Sequence, residues 1–133
     1  MDAAKDTAKI INSDTVELGE VQLRFAEIVW ANAPLGSGEL VKICREEFGW
    51  KKTTTYTVLH KLCEKGIFVN ENGTVKTVIG RERFYSAKSN FFVEKTFGGS
   101  LPSFFTAFVS QKKLSADEVD EIKKLIDEYR KEI

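Results

Sequence analysis

The amino-acid sequence predicts a mainly α-helical protein with one small β-hairpin. Apolar residues recur at helical spacing in six segments of the chain. Between the third and the fourth segment lie two short runs rich in β-branched residues, joined by Glu71-Asn72-Gly73. An Asn-Gly pair between two such runs is typical of a hairpin turn. Glycine or proline separates most of the segments and thereby indicates where they end.

The first two predicted helices are short and well bounded. Residues 21–32 carry an apolar stripe at helical spacing, which stops before Pro34. The second helix begins with Ser37 or Gly38 as its N-cap, and its apolar face ends at Gly49.

A third helix is predicted from residue 51 to Lys65, although its first half is rich in threonine. Four Thr and one Tyr among seven residues are unfavourable, because β-branching restricts side-chain rotamers in a helix. The continuation nevertheless favours a helix, since Val58, Leu59 and Leu62 fall at helical spacing and Gly66 follows as a C-cap.

Three further helices are predicted after the hairpin. Residues 81–97 form the fourth, which Gly98-Gly99 interrupts. Ser100 caps the fifth helix, with Pro102 in its first turn, where a missing N–H is harmless. Ser115-Ala116-Asp117-Glu118 has the pattern of a capping box and opens the sixth.

Three short helices followed by a β-hairpin are typical of a winged helix-turn-helix. In that architecture the third helix enters the major groove of DNA, and the hairpin, called the wing, lies against the backbone. We therefore expect a mobile N-terminal tail or a loosely attached extension over residues 1–17, a winged-helix DNA-binding domain over residues 18–80 and an α-helical dimerisation domain over residues 81–133.

The net charge of zero, from 20 basic and 20 acidic side chains, conceals a basic segment. Residues 51–88, which hold the third helix and the hairpin, carry a net charge of +5. Residues 1–50 carry −4 and residues 89–133 carry −1. The basic segment therefore coincides with the third helix and the hairpin, where DNA binding is expected. Each phosphate that its lysines neutralise would steepen the salt dependence of binding by about one unit in log–log slope.

The third helix combines short polar side chains with flanking lysines. Threonine hydroxyls can bond base edges or phosphates, and the threonine methyl can contact thymine. The residues that we predict to bind DNA are Lys51, Lys52, Thr53, Thr54, Tyr56, Thr57, His60, Lys61 and Lys76. The alternative interpretation is that the threonine face is merely solvated.

Seven of the ten phenylalanines lie between residues 84 and 108. A short helical segment cannot bury so many against itself, and each Phe left in water forfeits about 1.5–3 kcal/mol. We therefore predict a homodimer. Its dimerisation residues are predicted to be Phe91, Phe92, Leu101, Phe104, Phe105, Phe108, Ile122, Leu125 and Ile126. The alternative is that these side chains cover the underside of the first domain.

The rest of the composition argues against several other classes of protein. The apolar stretches are shorter than the ~18–20 residues of a membrane span, and the N-terminus lacks the pattern of a secretory signal, so we expect a cytoplasmic protein without membrane insertion. Cys44 and Cys63 are too few for a disulfide framework or a zinc cluster, and His60 is the only histidine. Because nucleophile motifs, paired catalytic carboxylates and phosphate-binding glycine loops are also missing, we predict no enzyme activity, metal site or cofactor.

The sequence resembles the penicillinase repressor family, the winged-helix repressors of β-lactamase and methicillin-resistance genes. The similarity extends from about Leu18 to Tyr129 and depends on the order and spacing of short motifs. These motifs are Ile28-Val29-Trp30, Gly49-Trp50, Thr54-x-x-Thr57-x-Leu59-x-x-Leu62-x-x-Lys65-Gly66, Arg81-Glu82, Phe97-Gly98-Gly99-Ser100-Leu101-Pro102 and Lys113-Leu114-Ser115-x-Asp117-Glu118. The resemblance implies a dimeric repressor that contacts DNA through the start of the third helix, including Thr54 and Thr57, and through the wing.

The sequence departs from the family pattern in three places. The family often has Lys at the position of Thr53 and Lys or Arg at that of Tyr56, so the operator is expected to differ and backbone attraction to be weaker. In the resistance repressors, cleavage of an Asn–Phe bond in the fifth helix undoes the dimer. The aligned bond is Ala107–Phe108, which leaves this proteolytic site, and any role of a membrane sensor protease, open. The C-terminal cysteine cluster of the copper-sensing relatives is missing.

We therefore expect a transcriptional repressor that binds a pseudo-palindromic operator in double-stranded DNA as a homodimer. The rival hypothesis is a winged-helix protein-interaction module that does not bind DNA, because a fold alone does not decide function. The basic charge of residues 51–88 beside the threonine-rich helix favours DNA.

Overall fold

The computed structural model describes residues 11–133, which form six α-helices and three short β-strands. The helices are α1 (Glu20–Asn32), α2 (Ser37–Phe48), α3 (Lys52–Glu64), α4 (Arg81–Phe97), α5 (Leu101–Gln111) and α6 (Ala116–Glu132); the strands are β1 (Leu35–Gly36), β2 (Phe68–Glu71) and β3 (Thr74–Thr77). The predicted fold class, a winged helix followed by a helical segment, is confirmed. The chain divides into two compact units, of which the first ends at Phe91 and the second comprises Phe92–Ile133.

The first unit is built around one buried stripe on each of its first three helices. The stripes are Phe25, Ala26 and Val29 on α1, Leu40, Val41 and Cys44 on α2, and Thr55, Leu59 and Leu62 on α3. Gly49, with a φ of 70°, ends α2 in the left-handed conformation that glycine adopts most easily. The chain can therefore leave α2 and begin α3 within a few residues.

The wing belongs to a three-stranded antiparallel sheet, whereas the sequence predicted a two-stranded hairpin. The strand order is β1-β3-β2, and β1 pairs with β3 through Leu35 opposite Val75 and Gly36 opposite Thr74. The prediction missed β1 because two residues are too few to show an alternating pattern. The Asn-Gly turn is confirmed, since Asn72 and Gly73 have φ values of 52° and 88°, the two positive angles of a type I′ turn.

The first half of α4 packs with the first unit. Phe84 is completely buried, and its ring centroid lies 5.3 Å from that of Trp30. The indole Nε1 of Trp30 donates a hydrogen bond to the carbonyl oxygen of Ile79 at 3.0 Å. Arg81 Nε contacts both carboxylate oxygens of Glu27, at 2.7 and 3.0 Å. The first unit therefore extends eleven residues beyond the boundary predicted after residue 80.

Residues 12–17, here called the strap, belong to the predicted N-terminal tail and pack against the first unit. Val16 is only 4% exposed and belongs to the hydrophobic core. Lys65 Nζ donates hydrogen bonds to the carbonyl oxygens of Asp14 at 2.7 Å and Glu17 at 3.0 Å. Part of the predicted tail is therefore packed against the first unit, because both the core and a lysine hold it. Residues 1–10 of that prediction lie outside the described residues.

Helices α5 and α6 begin where the sequence predicts, and α4 ends as predicted before Gly98. Gly98 and Gly99, with φ values of 59° and 83°, separate α4 from α5. Ser100 Oγ accepts a hydrogen bond from the Ser103 amide at 3.1 Å and caps α5. The capping box predicted at Ser115 and Glu118 is present at the start of α6.

Candidate nucleic-acid interface

The third helix has one buried face and one exposed face, as a DNA-reading helix needs. Its buried face consists of Thr55, Leu59 and Leu62, at offsets 0, 4 and 7. The opposite face carries the exposed residues Thr53, Thr54, Thr57, His60 and Lys61, all predicted to bind DNA. The structure therefore brings most of the predicted residues onto one accessible surface.

An aromatic stack fixes the point where α3 begins. The ring of Trp50, two residues before the helix, lies 4.4 Å from the ring of Phe48 and 6.1 Å from that of Phe25. The guanidinium of Arg24 covers the other end of the stack, 4.9 Å from the Phe48 centroid. Because these rings come from α1 and the end of α2, they position the first turn of α3.

The threonine side chains of α3 differ in what they offer to a ligand. Thr57 Oγ1 donates a hydrogen bond to the carbonyl oxygen of Thr53 at 2.9 Å, so its oxygen keeps acceptor capacity while its proton is engaged. Thr55 is 1% exposed, and its Oγ1 donates a hydrogen bond to the carbonyl oxygen of Lys51 at 3.5 Å. Thr55 is thus a core residue in a polar run, which explains how a threonine-rich segment can form a stable helix.

Tyr56 and His60 have different surroundings, although both were predicted to bind DNA. The Tyr56 ring is half-buried against the core, and its hydroxyl donates a hydrogen bond to Ser37 Oγ at 2.9 Å. His60 is exposed, with 77% of its side chain accessible, and its Nε2 lies 3.4 Å from Glu64 Oε1. His60 therefore lies on the accessible face, whereas the hydroxyl of Tyr56 faces another helix.

The lysines of the predicted site fall into two groups. Lys51, Lys52 and Lys61 are exposed and form no ion pair with any described residue, and Lys52 Nζ lies 5.9 Å from the Tyr56 ring centroid. Lys76 on the wing is instead paired with Glu71 of the neighbouring strand at 3.0 Å. Among the predicted site residues, the lysines without an ion pair to any described residue therefore all lie at α3.

Other cations of the basic segment serve the fold. Lys65 binds carbonyl oxygens of the strap, and Lys88 Nζ lies 3.4 Å from the carbonyl oxygen of Val16. Arg81 pairs with Glu27 and lies over the ring of Tyr85 at 5.0 Å. The net charge of +5 for residues 51–88 therefore exceeds the charge that the α3 face presents.

Both cysteine thiols have a raised pKa in the folded protein. Burial raises the pKa of Cys44, which the hydrogen bond with Thr55 lowers to a smaller extent. Burial also raises the pKa of Cys63, against a weaker opposite effect from the backbone of Asn70. A raised thiol pKa disfavours the reactive thiolate, so neither cysteine has the character of a redox switch.

The predicted dimerisation residues do not all have the same exposure. Phe91 packs against the core of the first unit, and Phe104 and Ile122 are half-buried. Phe92, Leu101, Phe105, Phe108, Leu125 and Ile126 are 43–64% exposed. Phe92, Phe97, Phe104 and Phe108 form an aromatic cluster with centroid distances of 5.5–6.1 Å. Much of the predicted set therefore leaves apolar surface uncovered in the single chain.

The candidate proteolytic site lies within α5. Ala107 and Phe108 are both exposed, and the peptide bond between them is part of the regular helix. That proteolysis acts at the Ala107–Phe108 bond stays a prediction.

Between Ile11 and Ile133 no helix is both long and apolar enough to cross a membrane. In the same range no group of three His, Cys, Asp or Glu side chains could hold a metal ion.

The fold and the exposed face of α3 define a winged-helix protein of the kind found among transcriptional regulators. A model of the penicillinase repressor family matches residues 18–128. The chain therefore belongs to the penicillinase repressor family, as its sequence motifs indicated, and this is a family of transcriptional regulators and not of enzymes.

Individual relatives are distant but cover nearly the whole chain. The chain is 22% identical over 118 residues to the penicillinase repressor of Bacillus licheniformis, covering 86% of this chain and 92% of the relative. It is 21% identical over 121 residues to the methicillin resistance regulatory protein MecI of Staphylococcus aureus (strain Mu50 / ATCC 700699), covering 87% and 98%. The corresponding protein of Mammaliicoccus sciuri is 20% identical over the same length.

Proposed function

We propose that this protein is a cytoplasmic transcriptional repressor that binds a pseudo-palindromic operator in double-stranded DNA as a homodimer. Family membership supports the repressor role, and the relatives are named as a penicillinase repressor and as methicillin resistance regulatory proteins. The observation that carries the proposal is the exposed polar face of α3, which has exposed lysines near both ends and lies beside a wing. Repression then follows from exclusion of polymerase by the bound dimer.

In this proposal α3 enters the major groove and its threonines contact base edges. The Thr57 hydroxyl already donates to the Thr53 carbonyl, so it acts toward DNA as a hydrogen-bond acceptor. The matching donors in the major groove are the amino groups of adenine and cytosine, and the threonine methyl fits against the methyl group of thymine. Thr53 and Thr54 lie on the same exposed side of the helix.

The lysines around α3 bind phosphates and supply the salt-dependent part of the affinity. Lys51 and Lys52 flank the start of the helix, and Lys61 lies about two and a half turns further along. His60, which is exposed beside Lys61, is a further candidate contact. Lys76 contributes from the wing only when it leaves Glu71.

The apolar surface of the second unit supports the homodimer. Leu101, Leu125, Ile126 and Tyr129 are 59–64% exposed, and Phe105 and Phe108 are 45% and 43% exposed. Contiguous apolar patches on a monomer indicate a protein interface, and a second copy of the same surface is self-complementary under twofold symmetry. A dimer would present two α3 helices to half-sites about one helical turn of DNA apart, roughly 34–36 Å.

The test is selection of bound sequences from random double-stranded DNA by the purified full-length protein. We expect a palindromic consensus, and gel shifts on the selected DNA should weaken steeply between two salt concentrations. Replacing Lys51 and Lys52 by Gln should flatten the log–log salt slope by about 1.8 units. The matched control replaces Lys112 and Lys113, an exposed lysine pair between α5 and α6, and should leave the slope unchanged.

Two outcomes would contradict the proposal in different ways. If the protein selects no sequence and shifts no DNA at low salt, the winged helix acts as a protein-interaction module. If the consensus is a single half-site and the protein sediments as a monomer, the homodimer is wrong.

A further inference from the structure

A chain of hydrogen bonds connects the reading helix to the tip of the wing. The Tyr56 hydroxyl on α3 donates to Ser37 Oγ at 2.9 Å. The backbone N–H of Ser37 donates to the carbonyl oxygen of Gly73 at 2.8 Å. The amide of Gly73 donates in turn to Asn70 Oδ1 at 3.0 Å, which closes the turn of the wing. Residues far apart in sequence thus join two elements that are proposed to contact DNA.

Each member of this chain is held in place by its own surroundings. The Tyr56 ring is half-buried against the core of the first unit, which limits where its hydroxyl can lie. Ser37 follows β1 directly, and Gly36 of that strand pairs with Thr74 of the wing. Gly73 has a φ of 88°, a conformation that glycine adopts at no steric cost, and its hypothetical Cβ would lie 3.9 Å from Ser37 Oγ.

We propose that Tyr56 is a positioning residue that sets the wing relative to α3 through Ser37 and thereby contributes to operator specificity. The inference depends on the proposed DNA binding. It changes the role of Tyr56, which the sequence predicted to touch DNA itself, because its hydroxyl is engaged with Ser37. Two DNA-contacting elements with a fixed separation match only a DNA site of the corresponding shape, since preorganised contacts avoid the cost of ordering on binding.

A positioning role and a merely stabilising role predict different effects on DNA binding. Random DNA is bound mainly through phosphates, which are present in every register, so a looser wing should cost little there. An operator is bound through simultaneous contacts from α3 and the wing, so a looser wing should reduce operator affinity more than random-DNA affinity. The ratio of operator affinity to random-DNA affinity therefore reports positioning, whereas a general loss of folded protein lowers both affinities equally.

The test compares Tyr56→Phe with Tyr85→Phe in the full chain. Both tyrosines are half-buried and both donate through the hydroxyl, Tyr56 to Ser37 and Tyr85 to Glu27 Oε1 at 3.3 Å. The two variants thus lose the same atom, once on the path to the wing and once outside it. Ser37→Ala and the Tyr56→Phe/Ser37→Ala double variant complete a double-mutant cycle.

The first measurement is made without DNA, as hydrogen exchange of the Ser37 amide followed by NMR. We expect exchange to be about three- to tenfold faster in Tyr56→Phe, the factor that corresponds to one net hydrogen bond, and unchanged in Tyr85→Phe. The second measurement is affinity for the selected operator and for random DNA. The operator-to-random ratio should fall by about three- to tenfold in Tyr56→Phe and in Ser37→Ala, with no further fall in the double variant.

The results that would overturn the inference are distinct from those that would overturn the proposed function. Unchanged Ser37 exchange, an unchanged affinity ratio, or fully additive effects in the cycle would each refute the role of Tyr56 while operator binding by the wild-type protein stands. Failure of the wild-type protein to bind any DNA would overturn both.

Discussion

The ion pair between Lys76 and Glu71 makes a quantitative prediction about the wing. Lys76 Nζ lies 3.0 Å from Glu71 Oε2, and the two side chains are 50% and 57% exposed. In the proposed complex Glu71 competes with a DNA phosphate for this lysine. Glu71→Gln removes the competitor and keeps the shape of the side chain, so we expect tighter DNA binding.

The expected size of the effect follows from the exposure of the pair. An exposed ion pair of this kind contributes at most about 1 kcal/mol, which corresponds to about a fivefold change in affinity. A newly available phosphate contact also steepens the log–log salt slope by about 0.9. Between 50 and 200 mM salt, the affinity of the variant should therefore fall by a factor about 3.5 times larger than that of the wild type. Glu71→Gln should therefore bind operator about fivefold more tightly at 50 mM salt and only about 1.5-fold more tightly at 200 mM.

The assay is a fluorescence-anisotropy titration of labelled operator at several salt concentrations between these limits. Glu132→Gln is the matched control, because Glu132 is exposed, lies at the end of α6 and forms no ion pair with any described residue. Lys76→Gln in the Glu71→Gln background should abolish the gain. A gain of the same size at all salt concentrations, or one that persists without Lys76, would contradict competition between Glu71 and DNA for Lys76.

Three further substitutions test other parts of the molecule. Thr57→Ala should weaken operator binding by about 1–3 kcal/mol and leave thermal stability nearly unchanged, because Thr57 is exposed and Ala is the better helix former; an equal loss on random DNA in gel shifts would mean that Thr57 touches only phosphate. Phe105→Ala should shift the protein toward monomer in analytical ultracentrifugation, because Phe105 is 45% exposed and burying the rest of its surface is worth about 2 kcal/mol per protomer; an unchanged sedimentation coefficient would argue against the dimer surface. Burial raises the pKa of Cys44 above its ordinary value of 9.0, so the stability due to the neutral thiol is complete below pH 9.0 and declines as the pH rises from there toward the folded-state pKa. Urea denaturation should accordingly give a free energy of unfolding that falls less between pH 8 and pH 10 in Cys44→Ala than in wild type, with equal falls contradicting this origin.

The elements of the fold could be predicted from sequence where the signal is local. Periodic apolar residues indicated all six helices. The residue types at Ser115 and Glu118 indicated the start of α6, and the Asn72-Gly73 pair indicated the hairpin turn. Strand β1 and the strap could not be predicted in this way. Both are held by partners distant in sequence, β1 by strand β3 and the strap by Lys65.

The candidate site was predicted in part, for a similar reason. Residue type and helical phase indicated the exposed threonines and lysines of α3. Sequence charge, however, counts Lys65, Lys76 and Lys88 in the same way as Lys51, although their ammonium groups bind carbonyl or carboxylate oxygens of the protein. The engagement of Tyr56 with Ser37, nineteen residues away, has no local pattern that could reveal it.

The strap determines where this protein can be shortened. A version beginning at Leu18 would remove the carbonyl oxygens of Asp14 and Glu17 from Lys65, whose side chain is only 19% exposed. It would also remove Val16 from the hydrophobic core and expose the apolar side chains that Val16 contacts to solvent. Trimming to the start of α1 would therefore leave a half-buried ammonium group at the C-terminal end of α3 without its acceptors. Versions intended for crystallisation or binding studies should keep the chain from Asn12 onward.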